Sequence, residues 1–245
     1  MHVLLFGATR GMGRAVAREL ARRGARLFLL GRDLDELKKS AADLQVHGAA
    51  GVVDVEHCDL SDPSGFSAAF DSAERALARI DAVVLTAGMF ASQKQLEADP
   101  VLTTRLLVAN FAHSVAFCEE ARRRLLLHGG GVLCAFSSVA GDRGRKPVVL
   151  YGASKAGLSA YLEGLDHKFA AEGLRVVCVK PGFVRTDMTA GLKPPPFAGT
   201  PDGVAKRVVA ALYKPRPVVY VPGMWRWVML VIRWLPRFVM RRIGF

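Results

Sequence analysis

The sequence predicts an α/β protein: one doubly wound parallel sheet of seven strands, followed by an amphipathic C-terminal helix. Three observations lead there. Short strand-like stretches alternate with helix-like ones along most of the chain. The strand-like stretches are apolar at most positions rather than at every second residue, as in parallel sheets covered on both faces. A glycine-rich loop joins the first strand to the first helix, where doubly wound sheets bind phosphates. With 245 residues, 51% of them hydrophobic, the chain can bury a full core in one domain.

In order, strands are placed at His2–Phe6, Arg26–Leu30, Gly51–Val55, Ala82–Leu85, Val132–Phe136, Leu174–Val179 and Val218–Val221. Helices are placed at Gly13–Arg23, Leu34–Val46, Ser64–Ala78, Val101–Leu127 and Val148–Ala171. Residues 1–223 read as one domain without linker or repeat, and 224–245 as a basic, tryptophan-rich segment. No charged leader with an apolar core and cleavage site precedes the first strand, so the expected location is cytoplasmic. The four cysteines are scattered, and three lie in apolar runs as small buried hydrophobes of a reducing compartment. Neither they nor the six histidines show metal-ligand spacing, so no metal site is expected.

Tyr151 and Lys155 stand four residues apart, which puts both side chains on one helix face. An ammonium beside a phenol stabilises the phenolate and lowers its pKa from about 10, which suits general acid–base chemistry. Ser138 can set its hydroxyl against the same substrate oxygen. Tyr-x-x-x-Lys with a serine thirteen residues upstream resembles the short-chain dehydrogenase/reductase family. Ordered motifs carry that resemblance from about residue 2 to residue 221. It implies a Rossmann-type fold and hydride transfer between a nicotinamide dinucleotide and a carbonyl carbon. Tyr151 would protonate the oxygen, Lys155 would hold the nicotinamide ribose, and Ser138 would fix the carbonyl. Asn110 is unfavourable inside a helix by propensity. It is either a satisfied core amide or, as the resemblance implies, the residue that bends the helix and holds a relay water.

The loop Gly7-Ala8-Thr9-Arg10-Gly11-Met12-Gly13 has the family's Gly-x-x-x-Gly-x-Gly spacing, with Phe6 where a threonine usually precedes it. Its glycines let the backbone approach a pyrophosphate at a helix N-terminus. Strand two ends in Gly31-Arg32-Asp33, with glycine where NAD-dependent relatives place a carboxylate. Arg32 and Arg10 would accommodate a 2′-phosphate, which favours NADP(H). Asp33 could instead argue for NAD, but with Glu36 three residues on it resembles a helix N-cap. Asp59-Leu60 matches the family's adenine contact, or Asp59 is a cap. Ala87-Gly88 keeps the small residues that admit the cofactor, while Thr86 replaces an asparagine that ties strands together, which bears on local stability. Pro181, Gly182, Val184 and Thr186 form the family's loop around the nicotinamide end. Residues Met188–Thr200 read as a mobile lid.

The net charge is +12, and after Asp202 nine cations follow with no acidic residue. In residues 224–245 Arg226, Arg233, Arg237 and Arg241 fall in one helical stripe, and apolar residues including all three tryptophans cover the rest. The apolar run is too interrupted to span a bilayer, and Pro236 should kink or divide it. The segment either lies in the plane of an anionic membrane or packs on the domain or a sister subunit. No groove-docking motif points to nucleic acid. A family subgroup, the decaprenylphosphoryl-2-keto-pentose reductases, is resembled by Ser137–Arg143, Pro181–Thr186 and Arg226, Val228, Met229, Arg233, Pro236 and Arg237. That resemblance implies a lipid-linked 2-keto sugar as substrate and a flavin oxidase as partner. The alternatives are another lipophilic ketone or alcohol, or a non-catalytic NADPH sensor at a membrane. The family resemblance also implies a homodimer or homotetramer.

Overall fold

Seven strands form one sheet: β1 (His2–Phe6), β2 (Arg26–Gly31), β3 (Asp54–His57), β4 (Ala82–Leu85), β5 (Gly131–Phe136), β6 (Leu174–Pro181) and β7 (Val218–Val221). Their order is β3-β2-β1-β4-β5-β6-β7, and every pairing is parallel. The computed structural model describes residues 1–186, 189, 191, 194–195 and 197–243. The strand order reverses at β1, whose Phe6 pairs with Leu30 on one side and Leu85 on the other. The loops after β1 and β4 therefore open side by side at the carboxyl edge, the position from which such sheets bind ligands.

Alternate residues of each strand feed two cores. Val3, Leu5, Leu27 and Leu29 pack beneath α1 (Gly11–Arg22), α2 (Leu34–Val46) and α8 (Pro201–Tyr213). Leu4, Phe6, Phe28 and Leu30 pack beneath α3 (Phe66–Leu77), α6 (Ser114–Leu127) and α7 (Val149–Phe169). Phe117 anchors the second core, with its ring centroid 5.1 Å from both Phe6 and Phe70. Burying each such ring contributes about 1.5–3 kcal/mol. All four cysteines are buried and free, as their apolar settings suggest.

The structure refines the sequence expectation most at three places. β3 starts at Asp54 rather than Gly51, because Gly51 sits at φ +71° and Val52 is exposed. The expected helix Val101–Leu127 runs continuously from Pro100 to Leu127, with a π-helical turn (Val108–His113) between α5 (Pro100–Leu107) and α6. A short helix α4 (Gln93–Ala98) precedes them, closed by a capping box between Ser92 and Gln95.

The C-terminal segment divides at Pro236, as proline chemistry requires. Helix α9 (Trp225–Trp234) ends before extended Leu235, and Pro236 caps α10 (Arg237–Arg242). Trp225, Met229 and Ile232 are buried against Val139, Phe183, Phe197 and Tyr220. Their spacing of four and three is that of one helix face. The other face stays open: Trp227 is 64% exposed, Val231 64% and Trp234 82%.

Candidate active site

The floor of the carboxyl-edge crevice is backbone. Gly7 sits at φ +102°, and a β-carbon there would stand 2.6 Å from Thr86 Oγ1 and 2.7 Å from the Ala87 nitrogen. A β-carbon on Gly13 would strike the Gly7 carbonyl, so only glycine lets α1 start this close to the loop. Thr86 Oγ1 donates to the carbonyls of Phe6 and Gly7, each at 3.0 Å. It thus ties β1 to β4, the service expected of the asparagine it replaces. No side chain among the described residues caps α1, whose first turn also lacks an acid. A pyrophosphate fits this cradle of glycine and free helix N–H groups. Thr186 closes the opposite side, its Cγ2 3.5 Å from a β-carbon placed on Gly11.

Thr9, Arg10, Arg32, Lys38 and His57 line an open cleft of about 860 Å³ with Asp33, Leu34, Asp35 and Glu36. Asp33 Oδ1 accepts from the Glu36 nitrogen at 3.0 Å and caps α2, so the capping reading of that carboxylate holds. Glu36 in turn pairs with Lys39 at 2.8 Å. Asp59 Oδ1 accepts from the Ser61 nitrogen at 2.8 Å, which shows its turn-capping side. The carbonyl of its neighbour Leu60 lies 2.9 Å from His113 Nδ1 and so ties this loop to the π-helical turn. Arg10 and Arg32 come together in this cleft from two different loops.

The chemical centre joins four segments. Ser138 begins a 3-10 turn: its Oγ accepts from the Ala140 nitrogen at 3.1 Å and donates to the Pro181 carbonyl at 3.4 Å. Lys155 Nζ donates to the Phe136 carbonyl at 2.9 Å and lies 5.9 Å from the Tyr151 ring centroid. Phe90 meets the Tyr151 ring edge-to-face at 5.2 Å. Asn110, fully buried in the π-helical turn, accepts from the Met89 nitrogen and donates to the Met89 carbonyl, both at 2.7 Å. Its amide is thus satisfied by backbone, as the core reading held, while the helix deforms around it. A β-carbon on Gly88 would stand 3.1 Å from Asn110 Oδ1 and 3.6 Å from Lys155 Nζ, so all three border one space.

Electrostatics here depart from the sequence reading. Burial pushes the Tyr151 phenol up to about 12, and a hydrogen bond with Ser138 pulls the other way. Burial brings Lys155 down to about 8. The expected lowering of the phenol by its ammonium neighbour is therefore corrected: Lys155 spends its short bond on Phe136, and desolvation dominates Tyr151.

Three residues acquire roles that spacing did not assign. Ser137 Oγ donates to the Lys155 carbonyl at 2.9 Å and lies 2.7 Å from Ser159 Oγ, fixing the helix that carries the lysine. A β-carbon on Gly182 would strike the Trp225 indole, and the Gly182 nitrogen already donates to the Val221 carbonyl at 2.9 Å. Gly182, expected at the nicotinamide end, is thus also the seat of α9. Phe90 had no sequence signal. Pro181 ends β6, and Val184 is buried and bridged to Gly199, which shapes the loop leading to Thr186. Met12 packs at the edge of the first core. The expected lid, Met188–Thr200, lies partly outside the described residues.

Known proteins resemble the chain over most of its length. A family model described as short chain dehydrogenase matches residues 1–196. An uncharacterised oxidoreductase of Mycobacterium tuberculosis is 33% identical over 98% of this chain and 96% of its own length. The human 3-oxoacyl-[acyl-carrier-protein] reductase is 33% identical over 77% of this chain and 78% of its own. A solved short-chain type dehydrogenase/reductase from Mycobacterium ulcerans shares the fold, with TM-score 0.80 at 24% identity over 89% and 86% of the two chains.

Proposed function

The chain belongs to the short-chain dehydrogenase family, and from that membership we propose that it is an NADPH-dependent reductase of a lipophilic ketone. As an oxidoreductase of this family it acts on CH–OH/C=O groups. The observation that carries the reductase reading is the meeting of Ser138, Tyr151 and Lys155 beside Gly88, at the mouth of the glycine cradle. When bound, the dinucleotide supplies the hydride. Gly7, Gly11, Gly13 and the α1 N-terminus would hold its pyrophosphate, and Arg10 and Arg32 its 2′-phosphate. Thr9, Met12, Asp59, Leu60, Ala87, Gly88, Pro181, Gly182, Val184 and Thr186 would complete the enclosure.

Ser138 Oγ and the Tyr151 hydroxyl hold the substrate oxygen, and Tyr151 gives it a proton as negative charge develops. A phenol at about 12 is protonated at neutral pH, which suits a proton donor. Lys155, at about 8, remains mostly cationic at pH 7 and offers the nascent phenolate a counter-charge. Asn110 keeps the helix deformed beside the lysine and so positions the relay.

The human relative is a 3-oxoacyl-[acyl-carrier-protein] reductase, which supports a ketone on an apolar chain. A lipid-linked 2-keto sugar suits the exposed Trp227, Val231 and Trp234 beside five arginines, a face complementary to an anionic bilayer. A flavin oxidase is the partner that would generate such a ketone. We place the protein in the cytoplasm, peripheral to the membrane through residues 224–245, as a homodimer or homotetramer.

NADPH oxidation against a panel of ketones tests the reading, with Tyr151→Phe as control. The variant should lose about 10²–10⁴-fold in kcat while binding NADPH within a few-fold of wild type. Equal turnover by wild type and variant on every active ketone, or inertness of both on all of them, would sink it.

A further inference from the structure

Between the loop that follows Ser138 and helix α10 lies a cavity of about 390 Å³ lined by Arg143, Gly144, Lys146, Arg237, Met240 and Arg241. Four of these residues are cations and none is an acid. Like charges gathered around one space repel, so other bonds must hold them there. Arg143 donates to the Leu235 carbonyl at 2.9 Å, and Lys146 Nζ to the Arg241 carbonyl at 2.6 Å. These bonds tie the loop to the C-terminal ends of α9 and α10, while buried Trp225, Met229 and Ile232 seat α9 below.

The carboxylate next to Arg143 in sequence is withdrawn. Asp142 accepts from Lys180 at 2.5 Å and from the Tyr220 hydroxyl at 2.8 Å, and its side chain is only 2% exposed. Among the described residues, Arg143, Lys146, Arg237 and Arg241 form no ion pair with a carboxylate. Arg143 keeps four of a guanidinium's five N–H donors and Lys146 two of an ammonium's three. A multiply charged oxyanion would meet those donors and relieve the repulsion.

We infer that this cavity binds the phosphate ester of an amphiphile. Met240 gives the cavity its one apolar side chain among the described residues, and Trp234, 82% exposed, and Phe238, 63% exposed, are open apolar side chains within three positions of Arg237. The ester is a membrane lipid's headgroup or the phosphate of a lipid-linked substrate; the recognition chemistry is the same. The site shares no residue with Ser138, Tyr151 and Lys155, and it stands whether or not the reductase reading does.

The test compares wild type with Arg237→Ser/Arg241→Ser, whose side chains are both exposed. Titration with farnesyl phosphate, followed by tryptophan fluorescence and calorimetry, should show binding that weakens about tenfold in the double variant. NADPH binding should be equal in both proteins, and Tyr151→Phe should bind farnesyl phosphate like wild type, which separates this site from the reductase chemistry. Inorganic phosphate should displace farnesyl phosphate, since the anion is the shared feature. Co-sedimentation with phosphatidylcholine vesicles containing phosphatidic acid, against plain phosphatidylcholine, distinguishes the sources. Recruitment by the acidic vesicles assigns the site to bilayer headgroups; farnesyl phosphate binding without recruitment assigns it to a single lipid-linked molecule. If the double variant keeps wild-type affinity for both probes, or farnesol binds as tightly as its phosphate, the inference is overturned.

Discussion

The cleft at Arg10 and Arg32 keeps its acids, whereas the cavity at Arg143, Lys146, Arg237 and Arg241 has none among the described residues. In the first, Asp33 is occupied with capping α2 and Glu36 with Lys39, so the carboxylates serve local structure and leave the guanidiniums free. The field there is nearly balanced, and a phosphate must be recognised by directed hydrogen bonds. In the second the field itself is the attractant, so binding should be less particular and more weakened by salt. One cleft is set where the chain leaves β1, β2 and β3 at the carboxyl edge of the sheet; the other exists only because α9 and α10 dock.

That dependence can be broken most severely at Trp225. Its indole lies on Gly182 and meets Phe197 at 5.2 Å, with only 8% of the residue exposed. Trp225→Ala removes a docked aromatic, worth about 3–5 kcal/mol, from a helix held by three buried side chains. The segment after Met224 should then become cleavable by trypsin at Arg226 and Arg233, and farnesyl phosphate binding should fall with it. The Arg10–Arg32 cleft, built without α9, should keep its affinity for 2′-phosphoadenosine. Protection from trypsin equal to wild type would mean that the docking of α9 does not depend on this ring.

The same contrast explains what could be read from the sequence. Tyr151, Lys155 and Ser138 were legible because a helical repeat and a strand end fix their spacing locally. The glycine loop was legible because only glycine serves where backbone meets backbone, as Gly7 meets Ala87. The second cavity was not, because Arg143 meets Leu235 across 92 positions and no local pattern encodes that contact. The C-terminal helix was half read: its amphipathic period was plain, but periodicity cannot say that Trp225 rather than Trp227 turns inward. The Tyr151 pKa was misjudged for a related reason, since spacing reports which groups are near but not how dry their surroundings are. Strand β3 slipped because the valines of Gly51–Val55 look like a strand until Gly51 adopts φ +71°.

The adenosine-side cleft is sharpened by Arg10→Ser/Arg32→Ser. Two charge-assisted contacts to a phosphate contribute about 1.5–3 kcal/mol each when fully formed. For side chains in an open cleft the joint effect should be a rise of about 100-fold in the KM for NADPH. The KM for NADH, which lacks the phosphate, should stay within about threefold. Parallel steady-state kinetics with the two cofactors read the difference. An equal rise for both would place the arginines on the pyrophosphate and remove the ground for preferring NADPH.

The smallest effect is the most discriminating, at Asp33. As the cap of α2 its Oδ1 holds the Glu36 nitrogen at 3.0 Å, so Asp33→Ala should cost about 1 kcal/mol and lower Tm by a few degrees. Removing a carboxylate from beside Arg10 and Arg32 should also lower the KM for NADPH about twofold, because the two guanidiniums then face one competing charge fewer. Stability and NADPH affinity thus move in opposite directions from a single change. A residue that held the ribose hydroxyls of NAD would behave otherwise: its loss would raise the KM for NADH about tenfold while Tm barely moved. Thermal melts and NADH kinetics on one variant therefore decide whether the acid beside the guanidiniums belongs to the helix or to the nucleotide.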